Sequence, residues 1–317
     1  MTDTQNEVFK TPVNKIRLFE HGAPGSQNLK LTRKYYTEDM PDGRVKHIVQ
    51  NITDPDIVPY IPDGIGNSTD RQRIPEVLII PGGAFRRLVY NFEGEDVAKW
   101  LNSMGIAAFV LECRLPSDEH DNAEDVPLID AMRAMRVIRG RAQEFGIDEA
   151  KIGVMGFSAG GFMAALLSTA YESDVYADYK YKDEYDKLSA RPDFAVCSYP
   201  VISIDDCIEA GKRYMSEEQV LERISDGKAK ILHKYNPDKL VRPDMPPVFI
   251  CETDDDRTTL SENSVGFYMA ARKAGVSAEL HIFRTGGHGY GCGDDFAQTG
   301  EWKVLFTKWI KSIGIIS

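Results

Sequence analysis

The chain lacks most of what would send a protein to a membrane, a nucleic acid or an oxidising compartment. No apolar run approaches the roughly 20 residues that cross a bilayer. The first residues, Met1-Thr2-Asp3-Thr4-Gln5-Asn6-Glu7, have neither the basic nor the apolar part of a signal peptide, so the expected location is the cytoplasm. Positive charge is in deficit, with 38 Lys and Arg against 49 Asp and Glu and a formal net charge of -11. A phosphate backbone or an anionic lipid surface is repelled by such a protein, so neither nucleic acid nor membrane is expected as a partner, and a neutral or cationic small molecule suits it better. Cys113, Cys197, Cys207, Cys251 and Cys292 are an odd set without metal-ligand spacing, several of them inside apolar runs. They imply neither a disulfide framework nor a metal site. Asn51-Ile52-Thr53 and Asn67-Ser68-Thr69 match the glycosylation pattern, which has no use without secretion. No internal repeat is present.

What is present is enough apolar sequence, 42% of 317 residues, to bury a large core. Residues 1 to about 43 are polar and rich in Gly, Pro and charge, and read as an extended arm, laid over the domain or partly disordered. The domain begins near residue 44. Arg44 to Ile52 and Ile57 to Ile61 read as antiparallel strands, a polar loop follows from Asp63 to Arg73, and Val77-Leu78-Ile79-Ile80 has the unbroken apolar character of a strand buried on both faces. Val97, Trp100, Leu101 and Met104 then fall at i, i+3, i+4 and i+7 before Gly105, which is an amphipathic helix with a glycine stop. After a strand over Ile106 to Leu111, the stripe Leu128, Ala131, Met135, Ile138, Ala142 and Phe145 predicts one long helix ending at Gly146. Phe194 to Tyr199, Pro247 to Cys251 and Glu279 to Phe283 read as further strands, and Trp302 to Ile313 as a closing helix. Such alternation, with crossover-length connections, predicts an α/β fold with one mostly parallel sheet and helices on both faces.

Two segments break the alternation, about 171–190 and about 205–243. As insertions near the active edge of the sheet they are the expected small lid or substrate wall. The first carries Tyr171, Tyr176, Tyr179, Tyr181 and Tyr185, placed either to stack on a sugar or to pack a lid onto the body.

The chemistry centres on Ile152 to Met163, an apolar run that passes through Gly156-Phe157-Ser158-Ala159-Gly160 into a helix-forming segment. A strand, a sharp turn and a helix in that order hold the Ser158 hydroxyl above the sheet edge, with the helix N-terminus aimed at any anion formed there. Pro81-Gly82-Gly83-Ala84-Phe85, directly after the strand at Val77, can turn backbone N–H groups inward as an oxyanion hole. A serine nucleophile needs a base and an orienting acid. Of the six histidines, His288 lies in the flexible Gly286-Gly287-His288-Gly289 loop just past a strand, at the same edge as Ser158. Asp254, Asp255 and Asp256 follow the strand at Cys251 and supply the acid. The order Ser, Asp, His differs from that of the other large serine-hydrolase folds.

These motifs resemble the esterase and lipase branch of the α/β-hydrolase superfamily, most closely the bacterial acetyl esterases described as acetylxylan esterase-like. The likeness runs from about Glu76 to the C-terminus. It is carried by Pro81 to Phe85 with Glu93-Gly94-Glu95-Asp96-Val97-Ala98, Leu111-Glu112-Cys113-Arg114-Leu115-Pro116, Ile152 to Gly161, Arg191-Pro192-Asp193-Phe194, Tyr199-Pro200-Val201-Ile202-Ser203, Asp255-Asp256 with Glu262-Asn263-Ser264, and Leu280-His281-Ile282-Phe283 with Gly286 to Gly289. The resemblance implies hydrolysis of short acyl esters, commonly acetyl groups on sugars, with no metal or organic cofactor. It implies Asp256 as the acid, and as oxyanion donors the N–H groups of Ala159 and of Gly83 or Ala84. Three departures stand out: Ala84 where glycine is usual, Glu252 where histidine is frequent, and Leu260 in place of proline. Glu252 beside three aspartates crowds negative charge near the acid.

The partner implied is a small-molecule ester, with assembly as a homo-oligomer left open. Phe85 and Phe162, next to the oxyanion loop and the serine turn, are the candidate walls of a tight acyl pocket. A serine peptidase of prolyl-oligopeptidase type would share the triad, but residues 1 to 75 are too few for a propeller. A non-enzymatic binding member of the fold would have no use for the triad.

Overall fold

The computed structural model describes residue 9 and residues 13–64, 73–213, 216, 218–219, 229–293 and 298–317. Met1 to Glu7, the glycosylation match at Asn67 and the middle of the 205–243 insertion lie outside them. The strands are β1 (Ile16–Arg17), β2 (Lys34–Asp39), β3 (Val45–Gln50), β4 (Asp56–Tyr60), β5 (Ile74–Ile80), β6 (Leu88–Val89), β7 (Ala107–Glu112), β8 (Ile147–Phe157), β9 (Ala195–Ser198), β10 (Val248–Thr253) and β11 (Ala278–Phe283). The helices are α1 (Asp96–Ser103), α2 (Val126–Gly140), α3 (Ala142–Phe145), α4 (Ala159–Ala170), α5 (Ile204–Lys212), α6 (Ala229–Lys234), α7 (Ser261–Lys273) and α8 (Trp302–Ser312).

Eight strands form one sheet in the order β1-β4-β7-β5-β8-β9-β10-β11, and β2-β3-β6 form a small second sheet. From β7 to β11 neighbouring strands run parallel, while β4 pairs antiparallel with both β1 and β7. The central run Val77-Leu78-Ile79-Ile80 in β5 is buried on both faces, as its unbroken apolar character predicts. On α1, Val97, Ala98 and Leu101 face the core, and Gly105 closes the helix at φ 74°. Because β5, β8, β9, β10 and β11 are parallel, the segments after their last residues all emerge at one edge. Every residue of the predicted triad and oxyanion loop lies on those segments.

The expected boundary near residue 43 falls inside a hairpin, because β2 pairs with β3 over the whole of Lys34 to Asp39. The segment before it is bound into the domain. Glu112, buried at the end of β7, accepts hydrogen bonds from Lys15 Nζ at 2.6 Å, Arg33 Nη1 at 2.7 Å and Tyr35 Oη at 2.9 Å. Nearby, the fully buried Arg114 and Asp130 form a bidentate pair, and Arg114 also donates to Pro24 O and Ser26 Oγ. Charges taken out of water need partners from both sides. Here the polar residues of the N-terminal segment are those partners, which is why a segment without apolar periodicity is still ordered.

The helix predicted to run through Phe145 is two, broken at Arg141 (φ -105°, ψ 14°). The apolar stripe continues across the break, so periodicity alone could not reveal it. The 171–190 insertion follows helix α4 rather than a strand. Since α4 has 12 residues, the insertion starts about 18 Å from Ser158. It packs on α2 instead: Arg133 pairs with Asp183 and Asp186, Arg136 Nη1 donates to Tyr176 Oη, and Tyr179 Oη donates to Gly22 O. Tyr176 and Tyr179 also meet Phe19 edge-on. The tyrosines fasten the insertion to the body, so this segment does not wall the active edge. Among the described residues no helix is long and apolar enough to cross a membrane.

Glu76, in the middle of β5, is fully buried, and neither carboxyl oxygen has a partner among the described residues. Burial pushes its carboxyl well above the ordinary range, with Arg139 and Asp193 as opposing charges nearby. Folding therefore takes up a proton once the pH exceeds the ordinary carboxylate value, and stability falls as pH rises through the gap by about 1.4 kcal/mol per pH unit. Glu76→Gln removes that cost. The melting temperature of this variant, measured against pH, is expected to exceed the wild type at pH 8 and to converge on it near pH 4; an advantage independent of pH would contradict the account.

Candidate active site

Strand β8 delivers Ser158 into a backbone conformation that L-residues avoid, φ 54° and ψ -119°, and helix α4 starts at the next residue. Glycines on either side make this turn feasible. A Cβ on Gly156 would stand 1.9 Å from the carbonyl oxygen of Gly160, and one on Gly160 would stand 1.9 Å from that of Ile80 in β5. The serine turn is thus pressed against the strand that carries the oxyanion loop. The N–H groups of Gly83, Ala84 and Ala159 make no hydrogen bond among the described residues. Those of α4 carry the positive end of the helix dipole. Ala84, where glycine is usual, itself takes the left-handed conformation at φ 57°, followed by Phe85 at φ 59°.

His288, on the loop after β11, stands between Ser158 and Asp256. Its Nε2 lies 2.8 Å from Ser158 Oγ and its Nδ1 2.6 Å from Asp256 Oδ2. Asp256 Oδ1 accepts the N–H groups of Thr258 and Thr259 at 2.7 and 3.0 Å, and Oδ2 accepts the Thr259 hydroxyl at 3.0 Å. Burial pushes this carboxyl up. The His288 hydrogen bond and charge, with the two backbone donors, more than offset it and leave Asp256 below the ordinary carboxylate value. An acid so held stays ionised and fixes the imidazole in one tautomer. Its neighbour Asp255 is exposed and accepts the N–H groups of Gly286 and Gly287 at 2.9 and 2.8 Å, anchoring the histidine loop.

The other departures are accommodated. Leu260 precedes α7 at φ -72° and ψ 145°, a conformation proline also adopts. Glu252 does not crowd charge around Asp256 as its position in the sequence suggests. Its side chain is buried, accepting from Thr253 N at 2.9 Å and from Ser264 Oγ at 3.3 Å, and burial together with Asp256 favours its protonated form.

A narrow apolar cleft opens beside Ala159 and Gly160, walled by Phe85, Leu88, Cys113, Leu115 and Met163. Phe85 belongs to this wall, but Phe162 does not: its ring has no accessible surface and meets Phe85 edge-on at 5.5 Å. Phe162 lies one helical turn beyond Ser158, on the side of α4 that faces the core, and supports Phe85 from behind. Sequence reasoning missed Thr259, Glu93 and Tyr199. Thr259 had a signal in its position between the acid and α7, where its hydroxyl can reach back to Asp256. Glu93 and Tyr199 stood in the quoted motifs with no role attached. Among the described residues no group of His, Cys, Asp and Glu side chains could hold a metal ion.

Comparison with known proteins bears on this geometry. Residues 65–270 match the family model described as BD-FAE. The chain is 31% identical over 236 residues to an acetylxylan esterase of Xylanibacter ruminicola, an alignment covering 74% of this chain and 45% of that protein. It spans about half the length of that curated relative. Among solved structures, an acetyl ester-xyloside bifunctional hydrolase from Caldicellulosiruptor lactoaceticus is 35% identical with a TM-score of 0.71, covering 96% of this chain and 97% of the other. A carboxylesterase from Lactobacillus plantarum, 21% identical, covers 90% of this chain and 99% of its own with a TM-score of 0.67, which speaks to fold alone.

The two aspartates can be told apart by the rate at which a fluorophosphonate labels Ser158. Asp256→Asn is expected to slow labelling by roughly 10²-fold to 10⁴-fold, because the amide can present the wrong hydrogen-bonding group to His288. Asp255→Asn keeps an oxygen acceptor for Gly286 and Gly287 and should cost less than about 10-fold. The reverse ranking would move the acid by one residue.

Proposed function

The chain belongs to the BD-FAE family and has the α/β-hydrolase fold of its esterase relatives, and we propose that it is a serine carboxylic-ester hydrolase acting on short acyl, chiefly acetyl, esters. The observation that carries this reading is the contact of His288 Nε2 with Ser158 Oγ at 2.8 Å, at a turn that holds the serine at φ 54°. His288 takes the proton as Ser158 attacks the ester carbonyl, and Asp256 stabilises the imidazolium. The N–H groups of Ala159 and of Gly83 or Ala84 receive the oxyanion. Return of the proton expels the alcohol, and water attacks the acyl-enzyme by the same route.

The cleft walled by Phe85, Leu88, Cys113, Leu115 and Met163 is apolar and shallow, which suits an acetyl group and leaves little space for a long chain. Acetylated sugars are the substrate class favoured by the relatives, one named for acetylxylan and another for acetyl esters and xylosides. Near the end of the 205–243 insertion, Lys234 Nζ and Tyr235 Oη both reach Asp125 at the start of α2. This insertion is the segment we assign to the leaving-group side.

Two measurements test the reading. Ser158→Ala should lower turnover of p-nitrophenyl acetate by roughly 10⁴-fold or more with the melting temperature retained, since binding and the oxyanion hole supply only the residual rate. A variant keeping most of its activity would dismiss the triad. Across acetyl, butyryl and octanoyl esters, kcat/KM should fall by about 10-fold or more from first to last. A preference for octanoyl, or for a prolyl peptide over every ester, would overturn the substrate class.

A further inference from the structure

Glu93 has an unusual position for a carboxylate. It lies in a π-helical turn, Asn91–Glu95, just ahead of α1, and that wide turn directs its side chain into the protein, where it is 5% exposed. Such turns inside helices are rare and often mark functional places. Oε2 accepts the N–H of Gly82 at 2.8 Å, and Oε1 accepts the hydroxyl of Tyr199 at 2.9 Å. The Tyr199 oxygen in turn accepts the N–H of Gly291 at 3.0 Å. Its ring stands edge-on to His288 at 5.0 Å and to Tyr290 at 4.5 Å. Tyr199 holds φ 37°, a strained value for a tyrosine, directly after β9. Gly82 opens the oxyanion loop after β5, and Gly291 closes the histidine loop after β11.

We infer that Glu93 is a positioning residue, a clamp that through Tyr199 fixes the oxyanion loop and the His288 loop relative to each other, and whose negative charge supports the imidazolium formed on His288. The inference rests on the ester-hydrolase reading. The carboxylate accepts from the oxyanion loop directly and reaches the histidine loop through the Tyr199 hydroxyl, and the strands leading into these loops, β5 and β11, are not neighbours in the sheet, so movement of either loop is felt by the other. Taking up the Gly82 N–H fixes the Pro81–Gly82 peptide, one peptide ahead of the Gly83 N–H that is left for the oxyanion. Burial leaves the Glu93 carboxyl above the ordinary carboxylate value, although His288, the Tyr199 hydroxyl, the Gly82 N–H and Lys46 each draw it back. The other groups that face His288 are Asp256 at Nδ1, Thr259 Oγ1 at 3.3 Å and Ser158 at Nε2, with Glu252, whose carboxyl burial pushes up, behind Asp256. Glu93 is therefore a second acidic group whose charge is felt at the imidazole, to which it is linked through Tyr199.

The test compares wild type, Glu93→Gln, Tyr199→Phe and the double variant for kcat and KM on p-nitrophenyl acetate across pH, with melting temperatures. Glu93→Gln is expected to lower kcat by roughly 10-fold to 10²-fold with KM changed less than about 3-fold, as for an interaction felt mainly in the transition state. The acid limb of its kcat profile should move to lower pH, because a charge that favours the imidazolium has gone. Tyr199→Phe should change kcat in the same direction, and the double variant should be little worse than Glu93→Gln alone, since both break one chain of contacts. A purely structural Glu93 would lower the melting temperature and the titratable active fraction but leave the acid limb in place, and that result overturns the inference. So does additivity of the two changes. Should Glu93→Gln fail to fold, Tyr199→Phe, which loses only a hydroxyl, decides: full kcat per active site overturns the clamp. If wild type hydrolyses no ester, the functional reading fails by itself, and the clamp is judged by the rate of fluorophosphonate labelling of Ser158 in the same variants.

Discussion

The close approach of the first turn of α4 to strand β5 is the constraint on which the active edge depends. With Gly160 against the carbonyl of Ile80, Ser158 has no alternative to its strained backbone angles, and β5 must end where it does for the oxyanion loop to pass over the serine. The strain is over-determined by packing on every side. Phe157 and Phe162 before and after the turn are fully buried, and the Ser158 N–H donates to Ser198 O in the next strand. A hydroxyl held that way reaches His288 without any rotation of the backbone.

Buried charge is distributed unevenly around this edge. Glu112 and Arg114, at the end of β7 and just past it, are fully paired, and their partners come from the N-terminal segment or from α2. Glu93, Glu252 and Asp256 lie around the histidine, and each has its donors satisfied in a different way: two loops for Glu93, its own loop for Asp256, α7 for Glu252. Only Asp256 is drawn below its ordinary value, which fits a group that must be ionised when its partner is not. Glu76 lies in the same strand as the oxyanion loop but four residues before its end, and it has no partner among the described residues.

The fold, and the meeting of Ser158, His288 and Asp256 at one edge, were legible because their signals are local. Unbroken apolar runs announce buried strands, helical stripes announce the cover, and glycines spaced around Ser158 announce a turn that admits no Cβ. What stayed hidden depends on contacts between distant segments. The order of Arg33 and Lys15 within the N-terminal segment follows from Glu112 about eighty or more residues away, and polar residues show no period. The break at Arg141 keeps the stripe in phase. The insertion after α4 was misplaced because its starting point is set by the direction of a helix and not by the composition of the insertion. Phe162 reads as a pocket residue from its nearness to Ser158 in sequence, yet one helical turn carries its ring to the core side.

The proposed base arrives by an unusual route through the sheet. His288 follows β11, the outermost strand, whose residues are only partly buried and whose Ile282 is 41% exposed. Every other group of the site follows a strand with neighbours on both sides. An edge strand of this kind belongs to the part of a domain that opens first in local unfolding, well below the free energy needed to unravel the centre. Asp255 and Thr253, which hold the backbone of Gly286 and Gly287, sit on the loop and strand next inward and limit that opening. On the proposed reading this sets an order of failure: on warming or in mild denaturant the imidazole is expected to depart while the Ser158 turn and the sheet beneath it persist, so that hydrolysis would cease in a molecule that is still folded.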